Sequence, residues 1–170
     1  MRLRKFIANM GEYLNENHSQ TYSAYHSSNK KFTHFDLSKI TNLGGDLYGW
    51  GFYFTNNINY SKKFGKYTYR CEITLNNPLN LTNSTTKEQL TNILENTNLS
   101  KINSDTILEL INGNNFTTAF RYIRKYVSFD ELKNMFDGVI GYADADGGGK
   151  EYVVYNPENI KIIEIIDNIG

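Results

Sequence analysis

Cysteine is almost absent: the 170-residue chain holds one, Cys71. That excludes an internal disulfide and any multi-cysteine zinc site. Histidine is nearly as scarce. His18, His26 and His34 are scattered, with no pair at ligand spacing, so no metal is expected. Neither sign of charge is in excess, with Lys plus Arg and Asp plus Glu at 18 each. Such balance argues against tight, nonspecific nucleic-acid binding by the chain as a whole and leaves a local basic patch open. No apolar run approaches membrane-spanning length. The start MRLRKFIANMGEYL carries a basic front with no apolar run behind it, so no signal peptide is expected. The expectation is a cytoplasmic protein, or one delivered into a host cell by unrelated machinery, with no membrane partner.

What the chain has in plenty is aromatic surface, 13 Tyr and 10 Phe against a single Trp. Such side chains suit strands and form stacking platforms for flat ligands. Length and an ordinary apolar share point to one domain over residues 1–170, large enough to bury a core. Oligomeric state is not legible. Asparagine is abundant, and no function attaches to it.

Hydrophobic periodicity divides the chain into strands, a helical insert and strands again. Met1 to Glu16 patterns as a short amphipathic helix. TYSAYHSS reads as a strand ending at His26, and KKFTHFDLSKITNLGGDL as a loop with a helical turn, punctuated by Gly44 and Gly45. GWGFYFT is a strand entered through glycine, NNINYSKKFG a short helix closed by Gly65, and KYTYRCEITL the clearest half-buried strand. Helices follow in TKEQLTNILENT, SDTILELING, TTAFRYIRKYV and FDELKNMF, with Ser104 and Asp130 as N-cap candidates. Strand texture returns in DGVIGYA, EYVVYN and IKIIEIID, with ADADGGGK as a loop between the first two. This order predicts an α+β fold, not an alternating βαβ one.

Three segments carry chemistry: AYHSS around His26, GWGFYFTNNINYSKKFG around Tyr53, and GGGKEYVVYNPENI around Glu151. Taken singly, each is an ordinary strand with a polar end. Together and in this order they resemble the His-Tyr-Glu ADP-ribosyltransferases, which include diphtheria toxin and the poly-ADP-ribose polymerases. His26-Ser27-Ser28 matches the family's His-Gly-Ser/Thr, Gly51-Phe52-Tyr53-Phe54 its Gly-x-Tyr-Phe, and Glu151 to Tyr155 its glutamate-led strand. FDLSKI from Phe35, GWGFYFT from Gly49 and NPENIK from Asn156 are most similar to the transferase domains of phage and mobile-element polyvalent proteins. The helical insert carries no match.

The resemblance implies a split antiparallel β-sheet core with flanking helices and NAD as co-substrate in a cleft. It places His26, Tyr53 and Glu151 as catalytic residues, and His26, Ser27, Ser28, Gly51, Tyr53, Ser61 and Phe64 around NAD. Physical chemistry suits those roles: aromatic faces attract a pyridinium cation, and a fixed carboxylate stabilises charge developing on the ribose. Two departures stand out. Serine occupies position 27 where the family has glycine, whose backbone freedom lies close to the ligand. Gly149 stands where arginine-modifying relatives carry Glu or Gln, so an arginine acceptor is not expected. Asp144, Asp146 and Lys150 in the adjoining loop are candidates to read the acceptor. That acceptor is a protein side chain by family analogy, a nucleic acid second, and water third, in an NAD-hydrolysing toxin. A non-catalytic NAD-binding module is the rival, against which the retained Glu151 argues. Elsewhere, His18 and His34 read as surface residues, Cys71 as a small core hydrophobe, and Arg121, Arg124 and Lys125 as a solvated basic face.

Overall fold

The computed structural model describes residues 19–40, 47–143 and 147–168. Its strands are β1 (Gln20–Ser28), β2 (Phe52–Thr55), β3 (Tyr67–Leu75), β4 (Leu79–Asn80), β5 (Gly138–Tyr142), β6 (Lys150–Val154) and β7 (Ile160–Asp167). The helices among the described residues are α1 (Ile58–Ser61), α2 (Thr86–Asn96), α3 (Lys101–Asn112), α4 (Phe116–Ile123) and α5 (Phe129–Met135). The expected helix over Met1 to Glu16 lies outside the described residues, as do His18, Gly44, Gly45, Asp144 and Asp146. No helix among the described residues is long and apolar enough to cross a membrane.

Alternation along β3 sends Tyr69, Cys71, Ile73 and Leu75 to one face, where all are buried. β1 pairs antiparallel with it over its whole length, from Gln20↔Leu75 to Ser28↔Tyr67, and so runs two residues past His26. The sheet order is β4-β5-β6-β2-β1-β3-β7. It departs from a fully split antiparallel sheet in two places. The strands form one ladder, but β1 and β2 meet at a single register pair, Tyr25↔Thr55. At the far edge the two-residue β4, which no sequence pattern announced, runs parallel to β5.

Two cores lie against the sheet. Helices α2 to α5 pack with Val139, Val153 and Tyr155 in one. The other holds Phe35, Phe52, Phe54, Tyr69, Ile140, Tyr152 and Val154. Neighbouring residues of β5 and β6 thus serve different cores, as period-two strands covered on both faces must.

The helical segment departs from expectation at its caps. Ser100, in extended geometry, accepts from the Asn103 N–H and starts α3, so Ser104 lies within the helix. Ser128 starts α5 through a reciprocal capping box with Glu131, which puts Asp130 in the first turn.

Candidate functional site

The cleft opens where β1 and β2 part. Beyond Tyr25↔Thr55 no further backbone rung joins them. The His26 side chain fills the gap: Nδ1–H donates to the Tyr53 carbonyl at 2.9 Å. A carbonyl only accepts, so this contact selects the Nδ1–H tautomer and leaves Nε2 as an acceptor. Phe32, Phe35, Phe54 and Tyr69 surround the ring, with centroids 5.2 to 6.2 Å away. Burial among them holds the imidazole below its ordinary pKa, and the hydrogen bond to Tyr53 opposes that only in part. Phe35, from the FDLSKI segment, is therefore the floor beneath His26.

Ser27, the departure from glycine, is tied on both sides. Its hydroxyl lies 2.9 Å from Ser61 Oγ and 2.8 Å from Thr68 Oγ1. Asn168 Nδ2 donates to the same Thr68 hydroxyl at 2.7 Å. That amide nitrogen only donates, so Thr68 accepts from it, and a run from Asn168 to Thr68 to Ser27 to Ser61 gives each hydroxyl proton an acceptor along the way. The Ser61 proton is then directed onward.

Tyr53 lies between two tightly packed glycines. Its hydroxyl donates to the Gly49 carbonyl at 2.6 Å and accepts the Tyr48 N–H at 3.2 Å. The ring, not the hydroxyl, is what it offers the cleft. Gly49 has φ 88°, and a Cβ there would meet the Arg124 guanidinium at 2.2 Å. Gly51 has φ 147°, and a Cβ would lie 2.5 Å from Val153 Cγ1. Both glycines are needed for close approach in the left-handed region. Arg124 thus turns inward, its charge acting on buried Tyr155, whose phenol burial pushes well above its ordinary pKa. The expected solvated face holds for Arg121 and Lys125, which are exposed, and fails for Arg124 because Gly49 leaves it room.

Glu151, the second residue of β6, lies opposite Thr55 on one side and Gly141 on the other, and is half-buried. The last residue of β2 and the two that follow it hold the loop before Glu151. Thr55 Oγ1 donates to the Gly148 carbonyl at 2.7 Å, and Asn56 Oδ1 accepts the Lys150 N–H at 2.9 Å. Asn57 Nδ2 donates to the Gly147 carbonyl. Gly149, at φ 73°, has no room for a side chain against Asn56.

A cleft of about 340 Å³, at the small end of ligand sites, is lined by His26, Ser27, Tyr53, Ser61, Phe64 and Glu151. Tyr25, Leu47, Thr55 and Tyr60 also line it, and sequence reasoning did not single them out. Tyr25 and Thr55 stand near His26 and Tyr53 in the chain, and Tyr60 adjoins Ser61. Ser28 and Gly51 do not line it. Ser28 packs on the Gly65 backbone and accepts the Lys30 N–H, and Gly51 packs on β6. Cys71 is buried, which pushes its thiol up to about 12, and it behaves as a core hydrophobe. Among the described residues no group of three or more His, Cys, Asp or Glu is placed to hold a metal ion.

A family model described as "ADP-Ribosyltransferase in polyvalent proteins" matches residues 19–170. No curated protein matches the chain. Among solved structures it is similar to one titled "Crystal structure of an anti-CRISPR protein", with 12% identity and a TM-score of 0.43. That match covers 86% of this chain and 96% of the other.

Proposed function

The chain belongs to the family of ADP-ribosyltransferases in polyvalent proteins, and on that premise we propose that it transfers ADP-ribose from NAD to a macromolecular acceptor. One observation carries the reading. His26, Tyr53 and Glu151, from three different strands, face one cleft together with Ser61 and Phe64.

In this reading the Tyr53 and Phe64 rings flank the pyridinium. The Ser61 hydroxyl donates to the nicotinamide carbonyl, and the Ser27 backbone clamps the same amide. His26 Nε2 accepts from an adenosine ribose hydroxyl, orienting NAD without taking a proton. The bond between ribose C1′ and the nicotinamide nitrogen breaks, and nicotinamide leaves with the electron pair. Glu151 stabilises the oxocarbenium ion and holds the 2′-hydroxyl while an acceptor nucleophile adds to C1′ and gives its proton to solvent.

Nicotinamide release from NAD, by purified protein alone and with a lysate, tests this. Glu151→Gln lowers the rate about 100-fold or more, with a smaller change in KM. No release by wild type in either case, or equal release by the variant, overturns the enzyme reading. The family's setting in polyvalent proteins supports an effector role, in phage or bacteria, against host molecules. Slowed growth on expressing wild type but not the variant supports that role, and equal growth counts against it.

A further inference from the structure

A second cavity of about 350 Å³ shares a wall with the cleft. Lys62, Lys63, Lys66, Asn29 and Asn168 line it, and Phe64 lines both spaces. Phe64 is 59% exposed. Its ring is braced edge-on by Tyr60, with centroids 5.1 Å apart. Three lysines within five residues therefore line one cavity with an exposed aromatic ring. Lys30 and Lys31 follow Asn29 in the chain, which extends the basic run at this end of β1. Asp167, opposite Tyr67, is a carboxylate that the β3–β7 ladder brings to the same end.

Asn168 adds a constraint of a different kind. Its Nδ2 donates to the Gly65 carbonyl at 2.9 Å and to Thr68 Oγ1 at 2.7 Å. The Gly65 carbonyl only accepts, so the amide cannot be flipped, and Oδ1 is fixed on the other side. That oxygen is buried and has no hydrogen-bond partner among the described residues. Asn168 thus ties Gly65 to Thr68 and fixes the cavity wall between Phe64 and Lys66.

We propose that this cavity is the acceptor subsite and that it receives single-stranded nucleic acid. A backbone phosphate sits among Lys62, Lys63 and Lys66, and a base stacks on Phe64. The inference rests on the transferase reading and names its acceptor. Phosphate with a basic surround, together with an exposed ring, is the chemistry of single-strand binding. A duplex keeps its bases stacked and cannot offer a face to Phe64. An acidic peptide would satisfy the lysines but leave the ring unused. Phe64 separates the two spaces by one side chain, which puts a nucleophile on the bound nucleotide next to ribose C1′.

The experiment uses a fluorescein-labelled single-stranded oligonucleotide, with binding read by anisotropy at low and moderate salt. Wild type is compared with Lys62→Glu/Lys63→Glu/Lys66→Glu and with the distant Arg121→Glu/Lys125→Glu. The expected result is a loss of about tenfold or more, with a shallower salt dependence, in the first variant alone. Inorganic pyrophosphate displaces the oligonucleotide from wild type, a readout that needs no variant. Labelled NAD then marks the oligonucleotide with wild type and not with the triple variant, while both still release nicotinamide to water. Absence of oligonucleotide binding, equal binding by the triple variant, or labelling confined to protein overturns the proposal. Loss of nicotinamide release in the triple variant with binding intact also overturns it, by assigning the lysines to NAD's own phosphates. Failure of wild type to release nicotinamide sinks the transferase reading instead, and binding still reports on the cavity.

Discussion

His26 is the residue whose surroundings decide most. Held neutral by burial, it binds fewer protons folded than unfolded once the pH falls below its ordinary value of 6.5. Its contribution to stability is therefore full above about pH 6.5 and lost as the pH falls from there toward the depressed folded value. Melting temperatures of wild type and His26→Gln between pH 8 and pH 5 check this. The two curves should run parallel at high pH and converge at low pH, and a constant gap would refute it. Ser27 makes a second case. If its hydroxyl orients Ser61, Ser27→Ala and Ser61→Ala remove the same interaction. Each then raises the KM for NAD about fivefold, the worth of one neutral hydrogen bond, and the double variant does no worse than either. Strict additivity in that cycle would show the two serines acting independently. The residue that looked like a defect against the family pattern is the one joining the cleft to Thr68 and Asn168.

Among elements, legibility followed locality. β3 could be read directly because its alternation is a property of nine consecutive residues, every second one of which faces one core. β4 could not, because two residues carry no period and become a strand only by lying beside Val139 and Ile140. Ordered motifs singled out His26, Tyr53 and Glu151, which line one cleft. Tyr25 and Thr55 were not singled out, because their place in the cleft depends on where β1 and β2 separate. Arg124 misled for a related reason, since its inward turn depends on Gly49, 75 positions earlier in the chain. Helix caps fall between these cases. Ser104 and Ser100 both precede helical pattern, and only backbone geometry tells them apart. Ser128→Ala, which breaks the capping box of α5, should therefore lower stability by about 1 kcal/mol. Ser104→Ala should change it by less than about 0.5 kcal/mol. Urea midpoints decide, and the reverse ranking would place the α3 cap where the sequence first suggested.

At the scale of the molecule, the sheet joins the two cores among the described residues. β6 gives Val153 to the helical side and Tyr152 and Val154 to the other, and β5 divides Val139 and Ile140 in the same way. Unfolding one side strips half the burial from strands the other side needs, so a single cooperative transition is expected. Trp50, the only tryptophan, packs on Phe129 with centroids 4.3 Å apart and so reports on the helical side. Ile111→Ala, made in the helical core, should remove about 2–5 kcal/mol. It should shift the urea midpoint by the same amount whether read by Trp50 fluorescence or far-ultraviolet circular dichroism. The consequence reaches function because Tyr53 packs against that same core while its ring lines the cleft. Nicotinamide release should therefore vanish along the same urea curve as the fluorescence. If fluorescence moved first and activity survived it, the helical segment would be a separate folding unit and the cleft would stand on the sheet alone.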